Sequence, residues 1–278
     1  FRCRGYTPRV REARSALASE AMHEGSGNPL SRSRVGDWPP DDLPPQACSP
    51  ELRLHVLGLV PYFAGLSEAE LAAAHEAFHA KHMLAGSTLV NAGDPAESLM
   101  VIVSGRVKLV HDAPGGSEHL VDVLGPGDSF GALPLLGQAV NESRAEALTG
   151  GCLLVTSTAE FASLVTRFPS VAVAALEDVS GRLRAAHARL RAAASAPVET
   201  RLAGALLTLS QRFGEEVPEG RTLGAPLSQE DLAALTGSTL ETVNRVLAGW
   251  RKRGWVKTGR RKLLITDPGA LEGVAAAG

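Results

Sequence analysis

Near the C-terminus of the chain, two short apolar stretches flank a single glycine, Gly237. Ser228 followed by Asp231 is an acidic variant of the capping box, which predicts the start of a helix. Gly237 tolerates the left-handed backbone that ends such a helix, and Ser238 with Glu241 predicts a second capping box. Two helices joined by about three residues must cross at a steep angle. The stretch therefore predicts a helix-turn-helix, the most constrained local fold in the chain.

The second helix of this motif, 239–252, carries polar side chains away from its apolar face. Glu, Asn and Arg can pair with cytosine, adenine and guanine respectively, so they are suited to reading base edges in a major groove. Residues 255–265 predict a β-hairpin whose basic tip can contact phosphates, as in a winged helix-turn-helix. The candidate DNA contacts are Ser228, Gln229, Thr239, Leu240, Glu241, Thr242, Asn244, Arg245, Lys257, Arg260 and Arg261.

Basic residues are unevenly distributed along the 278-residue chain, although its formal charge is only −2. The stretch 242–266 contains no Asp or Glu. Its basic residues are Arg245, Arg251, Lys252, Arg253, Lys257, Arg260, Arg261 and Lys262. Such a cluster favours a polyanionic partner, here double-stranded DNA, over a merely solvated face.

A different pattern occupies residues 50–160. Short apolar segments at Ser98–Ser104, Arg106–His111, His119–Leu124 and Cys152–Ser157 are separated by glycine-containing turns. Short strands at regular spacing, with turns that allow positive φ, predict an antiparallel β-roll or barrel. We expect this region to be a sensor-sized domain.

A long helical stretch follows Pro169 within the region 161–196, and Pro197 ends it. One apolar stripe runs along it with helical spacing. The stripe consists of Leu176, Val179, Leu183, Ala186 and Leu190. Packing against the chain's own roll is one interpretation, but the long arginines that flank the stripe are typical of an exposed two-helix seam. We therefore expect a dimerisation helix, followed by a DNA-binding domain at 197–278.

Residues 1–49 are rich in Arg, then Ser and Gly, then Pro, with little apolar periodicity. Such a segment buries too little surface to offset chain entropy, so we expect a disordered tail. The first methionine is Met22, which leaves open that part of the tail lies upstream of the natural start.

The three cysteines, Cys3, Cys48 and Cys152, are too few and too scattered for a disulfide framework or a zinc site, and Cys152 lies in an apolar run that predicts a core position. No stretch approaches the roughly 18–20 apolar residues of a membrane span, and the N-terminus lacks the apolar centre of a signal peptide. We expect a soluble, cytoplasmic protein without metal or cofactor.

Residues 50–270 resemble the Crp/Fnr family of transcription regulators. The motifs that carry the resemblance are Ser-Gly-Arg-Val-Lys-Leu at 104–109, Gly-Asp-Ser-Phe-Gly at 127–131, Ser-Gln-Glu-Asp-Leu-Ala at 228–233 and Glu-Thr-Val-Asn-Arg at 241–245. The resemblance implies an α+β chain with an N-terminal cyclic-nucleotide-binding jelly roll, a long dimer helix and a C-terminal winged helix-turn-helix. It also implies a homodimer on a partly palindromic operator, with recognition helices about 34 Å apart. RNA polymerase stays open as a further partner.

The resemblance also implies an effector pocket, in which this sequence departs from the cyclic-AMP receptor pattern. Its residues would be Gly131, Ala132, Leu133, Glu142, Ser143, Arg144, Ala186 and His187. Ala132 replaces the ribose-binding Glu, and Ala186-His187 replaces the adenine-binding Thr-Ser pair. Glu142 replaces the phosphate-binding Arg unless a short shift brings in Arg144. Because a carboxylate repels a phosphate in a poorly solvated pocket, we predict that cyclic AMP is not the effector, which remains an unidentified small ligand or none.

Other sensing chemistries have less support in the sequence. The clustered N-terminal cysteines of iron–sulfur relatives are missing. His75, His79 and His82 are spaced so that the first two could share a helix face as metal or haem ligands, but a surface or partly buried role is the simpler interpretation. His187 on the dimer helix is a candidate for titration near neutral pH.

In the predicted recognition helix, Leu240 replaces the first guanine-reading Arg of the family, whereas Glu241 and Arg245 remain.

The alternative to a DNA-binding regulator is a ligand-binding signalling module whose C-terminal domain contacts protein. We do not expect an enzyme, because the chain lacks a P-loop, a Gly-x-Ser-x-Gly elbow and a His-Glu-x-x-His motif.

Overall fold

The computed structural model describes residues 48–112, 118–131 and 139–277, with the backbone alone at 185 and 188–195. The predicted disordered tail lies outside this part of the chain apart from Cys48 and Ser49. The described elements form a β-roll, a long helix and a C-terminal helical domain with a small sheet, and the predicted α+β class is confirmed.

Two antiparallel four-stranded sheets form the β-roll. Its strands are β1 (His79–Met83), β2 (Thr88–Val90), β3 (Ser98–Ser104), β4 (Val107–Asp112), β5 (Glu118–Leu124), β6 (Ser129–Phe130), β7 (Arg144–Ala147) and β8 (Gly151–Ser157). One sheet has the order β1-β8-β3-β6 and the other β2-β7-β4-β5. Strands β3, β4, β5 and β8 occur within one residue of their predicted bounds.

The side chains of strand β7 alternate between the two faces of its sheet. Arg144 and Glu146 are only partly buried, whereas Ala145 and Ala147 are buried in the roll. This is the alternation expected of a strand with one face on a core. Because Glu146 is paired in register with Lys108 of β4, the charged side chains meet on the outer face of the second sheet.

Helices α1 (Pro50–Leu59) and α2 (Glu68–His75) lead into the roll, with a short 3-10 helix at Pro61–Phe63 between them. Ser67 and Glu70 form the capping box of α2. After the roll come α3 (Thr158–Arg167) and the long helix α4 (Pro169–Ser195).

Helix α4 packs on the roll through one face and leaves another exposed. Val171 and Ala175 are buried against the roll, whereas Leu176 and Leu183 are 60% and 56% exposed in this single chain. Leu176, Val179 and Leu183 of the predicted stripe therefore do not pack on the chain's own roll. No described helix is long and apolar enough by itself to cross a membrane, and α3 with part of α4 meets that test only as a pair bent by 115°.

The C-terminal domain begins with α5 (Val198–Phe213). It continues with β9 (Glu216–Val217), β10 (Gly220–Thr222), α6 (Gln229–Thr236), α7 (Leu240–Arg253), β11 (Val256–Gly259), β12 (Lys262–Ile265) and α8 (Pro268–Ala276). Trp250 of α7 is fully buried at its centre and donates its indole N–H to Glu199 Oε1 at 2.9 Å. This bond fixes the second helix of the helix-turn-helix to the start of α5.

Two expectations about cysteines and histidines are corrected. Cys48 and Cys152 form a disulfide, with Cα atoms 5.6 Å apart, because the segment before α1 lies over the central strand β8. Cys152 is nevertheless fully buried in the core, as expected. His75 ends α2 while His79 and His82 lie on β1, so the proposed shared helix face does not exist. Within the described residues no group of His, Cys, Asp and Glu can hold a metal ion.

Candidate nucleic-acid interface

The helix-turn-helix is built from two capped helices and one left-handed glycine. Ser228 accepts a hydrogen bond from the Asp231 N–H, and Asp231 accepts one from the Ser228 N–H, so the predicted first capping box is present. Gly237 ends α6 at φ 57°, and its N–H bonds to carbonyls of the last turn. The expected left-handed turn is therefore confirmed.

The predicted second capping box does not form. Helix α7 starts at Leu240, one residue later than expected, with Thr239 as its N-cap. The Thr239 hydroxyl accepts a bond from the Thr242 N–H at 3.2 Å, so Glu241 occupies the second position of the helix rather than the third. Glu241 is thereby exposed instead of being used as a cap.

Eight of the candidate DNA contacts are exposed to solvent. These are Gln229, Thr239, Leu240, Glu241, Arg245, Lys257, Arg260 and Arg261. Ser228, Thr242 and Asn244 are partly buried. The Oδ1 atom of Asn244 is buried without a hydrogen-bond partner, so only Glu241 and Arg245 of the three predicted base-reading residues have freely accessible tips.

The basic hairpin lies directly after α7. Strands β11 and β12 pair from Val256 with Ile265 to Gly259 with Lys262, and Arg261 at the tip adopts a positive φ of 52°. Arg253 stacks on the Trp255 ring at 4.7 Å, which orients the end of α7 against the hairpin. The predicted wing is present, with its basic tip exposed.

One side chain near this surface was not identified from the sequence. Lys108 of β4 places its ammonium 3.0 Å from Asp231 Oδ1, in the capping box of α6. Burial raises the pKa of Asp231, but hydrogen bonds from Ser228 and Lys108 outweigh it and hold the pKa below its ordinary value of 3.8. A contact across domains carries no local sequence signal, which is why it was missed.

A cavity of about 160 Å³ lies inside the roll at the predicted effector pocket. Gly131, Glu142 and Ser143 line it as expected. Ala186 and His187 do not line it, and Ala132 and Leu133 lie outside the described residues. Its volume is below the roughly 300–1,000 Å³ of typical small-molecule sites.

Arg144 points away from this cavity. It forms ion pairs with Asp112, Glu118 and Glu146 on the outer face of the sheet, at 3.0 Å from Glu146. The alternation of β7 places it there, because Ala145 occupies the inward position. The suggestion that a short shift brings Arg144 into the pocket therefore finds no support.

Arg182 of α4, one of the arginines that flank the predicted stripe, lines the cavity instead. Its guanidinium donates to Asp178 Oδ2, to the Tyr62 hydroxyl and to the Ser129 hydroxyl and carbonyl. Burial acts to lower the pKa of Arg182, but the neighbouring Tyr62 and Asp178 raise it, so it stays charged. The cavity thus contains one carboxylate, from Glu142, and one well-bonded guanidinium.

Known proteins share both halves of this architecture. Residues 80–168 match the cyclic nucleotide-binding domain and residues 200–274 match the Crp-like helix-turn-helix domain. A CRP-like cAMP-activated global transcriptional regulator of Mycobacterium tuberculosis is 30% identical over 76% of this chain and 95% of its own length. The cyclic AMP receptor protein of Thermus thermophilus is 31% identical over 77% of this chain and 96% of its own.

Solved structures share the fold. FixK2 from Bradyrhizobium japonicum covers 72% of this chain and 98% of its own, with a TM-score of 0.64 at 22% identity. A CRP/FNR-family regulator from Thermus thermophilus covers 71% and 98%, with a TM-score of 0.58 at 24% identity. A cyclic-nucleotide-binding roll joined to a winged helix-turn-helix defines a DNA-binding transcription regulator. The chain belongs to the Crp/Fnr family of these regulators.

Proposed function

We propose that the protein is a cytoplasmic, non-enzymatic regulator that binds a partly palindromic operator as a homodimer and reads it with α7. The observation that carries this proposal is the exposure of Glu241 and Arg245 at the start of α7, next to the exposed basic tip at Arg260 and Arg261. Side chains at the N-terminal end of a recognition helix reach base edges, while a basic hairpin contacts phosphates.

The exposed stripe of α4 supports the dimer. Leu176, Val179 and Leu183 follow each other at helical spacing and are 60%, 38% and 56% exposed in the single chain. Three large apolar side chains on one helix face favour a partner helix of the same kind. A two-fold dimer about α4 would present two α7 helices to successive major grooves.

Two arginine variants test the reading of DNA. Arg245→Ala should abolish the difference in affinity between operator and random duplex, because Arg245 reads a base. Arg260→Ala should weaken both complexes alike and lower the slope of log K against log salt by about 1, because Arg260 contacts phosphate. Fluorescence anisotropy on both duplexes over a salt series measures both effects. Equal losses on both duplexes for Arg245→Ala would count against the assignment.

We further propose that cyclic AMP does not control this protein, although relatives are named for it. Glu142 lines the cavity, Arg144 is held outside by three carboxylates, and the guanidinium of Arg182 is already bonded to Asp178. Among the described residues, these contacts leave no unpaired cation at the place of the family's phosphate-binding Arg. Isothermal titration of the full chain with cyclic AMP should give no heat of specific binding. Micromolar or tighter binding at one site per chain would refute this part of the proposal.

A further inference from the structure

The helix-turn-helix contacts the sensor domain in this structure. The C-terminal domain packs on the outer face of the sheet β2-β7-β4-β5. Val110, Leu120, Val123 and Leu148 of the roll share one apolar cluster with the core of the C-terminal domain, including Leu232 of α6. The first helix of the DNA-binding motif is thus docked on the sensor domain of its own chain.

Lys108 lies at the charged centre of this contact and is only 9% exposed. Its ammonium is 3.0 Å from Asp231 Oδ1 on α6 and 3.5 Å from Glu146 Oε2 on its own sheet. Glu146 also accepts from Arg144, so it remains paired whichever partner Lys108 takes. Among the described residues, Lys108 is the cation that pairs with Asp231, and it is therefore the charge that joins α6 to the sheet.

A second ionic contact lies at another edge of the docked surface. Arg212 of α5 reaches Asp122 of β5 at 3.3 Å and Asp128 at 2.9 Å. Asp128 belongs to the turn before β6, whose Phe130 lines the sensor cavity. In the part of the chain that the structure describes, the docking therefore includes at least two ionic contacts besides the shared apolar cluster.

Docking places part of the candidate DNA surface opposite the sensor sheet. Ser228, Leu240 and Arg261 line a cleft of about 440 Å³ together with Glu118 and His119 of β5. A major groove is about 12 Å wide and is bounded on both sides by phosphates. A cleft of this volume does not admit such a phosphate-bearing wall.

We propose that Lys108 is a positioning residue that holds the helix-turn-helix against the sensor sheet and withholds Ser228 and Arg261 from DNA. This inference rests on the proposed DNA contacts of those two residues. Replacing Lys108 by a carboxylate would place three acids together at Asp231 and Glu146, which drives the domains apart because a buried pair that loses its cation is strongly unfavourable. Undocking then exposes the complete DNA surface.

Lys108→Glu in the full chain tests the proposal against a matched control, Lys81→Glu, which makes the same charge change at an exposed site on β1. The added negative charge alone weakens binding to a polyanion. We nevertheless expect Lys108→Glu to bind a random-sequence 40-base-pair duplex about three- to tenfold more tightly than Lys81→Glu, since the docked population is released. Lys108→Arg, which keeps the ion pair, should bind as the unaltered protein does.

Hydrogen exchange separates this inference from the proposed function. In Lys108→Glu, amides of α6 and β5 should exchange faster while those of β3 and β8 keep their protection. Unchanged exchange in α6 and β5, or duplex binding no tighter than that of Lys81→Glu, would overturn the proposal. If the unaltered protein shows no salt-dependent binding to the duplex, the proposed function fails, and exchange alone decides the docking. If amides of β3 and β8 also lose protection in Lys108→Glu, the same duplex-binding and exchange measurements are made on Arg212→Met. This variant removes the second ionic contact.

Discussion

Leu240 is an unusual residue for the tip of a helix that reads DNA. It is the first residue of α7 and is 39% exposed, so its side chain contributes little to the core. An apolar side chain at this place can contact a thymine methyl group but cannot form the bidentate bond that an Arg makes with guanine. The base pair opposite Leu240 should therefore be weakly specified.

Leu240→Arg should restore a specified base pair. The added guanidinium can bind guanine O6 and N7, which is worth about 1–3 kcal/mol of discrimination. Sequencing of duplexes selected from a random pool by each protein should show a guanine enriched at one position per half-site for the variant alone. Identical motifs for both proteins would show that this side chain does not face the bases.

Asp231 gives a pH-dependent test of the first capping box. Its pKa is lowered in the folded protein, so the stability that its charge provides is present at neutral pH and is lost as the pH falls through the folded pKa. Asp231→Asn should therefore cost about 1 kcal/mol of unfolding free energy near pH 7. That cost should persist down to about pH 4 and shrink below it, as urea titrations at several pH values will show. A difference that disappears by about pH 6 would contradict the assigned pKa direction.

Helices and strands with a strong local sequence pattern could be predicted, whereas strands that depend on pairing with a distant strand could not. Strand β3 is a continuous apolar run, and the wing hairpin has apolar strands around a basic turn, so both were found. Strand β7 is Arg-Ala-Glu-Ala and β1 is His-Ala-Lys-His-Met, and neither has the β-branched alternation that marks a strand. Partners across the chain, such as Arg182 with the cavity, depend on tertiary packing that no local pattern encodes.

The disulfide shows the same limit and gives a test at the scale of an element. Cys48 and Cys152 are 104 residues apart in sequence, and closing so long a loop stabilises a fold by about 2–4 kcal/mol. Reduction should therefore lower the thermal midpoint of the full chain, whereas Cys48→Ser should be insensitive to reductant. Calorimetry with and without dithiothreitol measures this difference. Equal midpoints for the oxidised and reduced protein would contradict a contribution from this bond.

At the scale of the whole molecule, the proposed function makes access to DNA depend on the two faces of α4 and on the docked C-terminal domain. The roll holds one face of α4, and the other face remains open for a second copy of the chain. Docking of the helix-turn-helix on the sensor sheet then sets how much of each α7 is accessible. In the proposed regulator, assembly of the dimer therefore depends on α4, whereas presentation of the DNA surface depends on Lys108.

Leu183→Glu should dissociate the proposed dimer. A carboxylate in the middle of a two-helix seam is buried without a partner, which is strongly unfavourable. Sedimentation velocity should show a monomer for this variant. The control Arg184→Glu should remain a dimer, because the exposed side chain of Arg184 lies beside the stripe. A Leu183→Glu protein that remains dimeric would place the interface elsewhere.

The most direct test of the central claim is selection of bound sequences from a pool of random duplexes by the full chain. A homodimer that reads DNA with two α7 helices predicts a motif of two inverted half-sites, with centres about one helical turn, or 10–10.5 base pairs, apart. Arg245→Ala should fail to enrich this motif. Recovery of no motif, or of a single half-site without inverted symmetry, would contradict the claim.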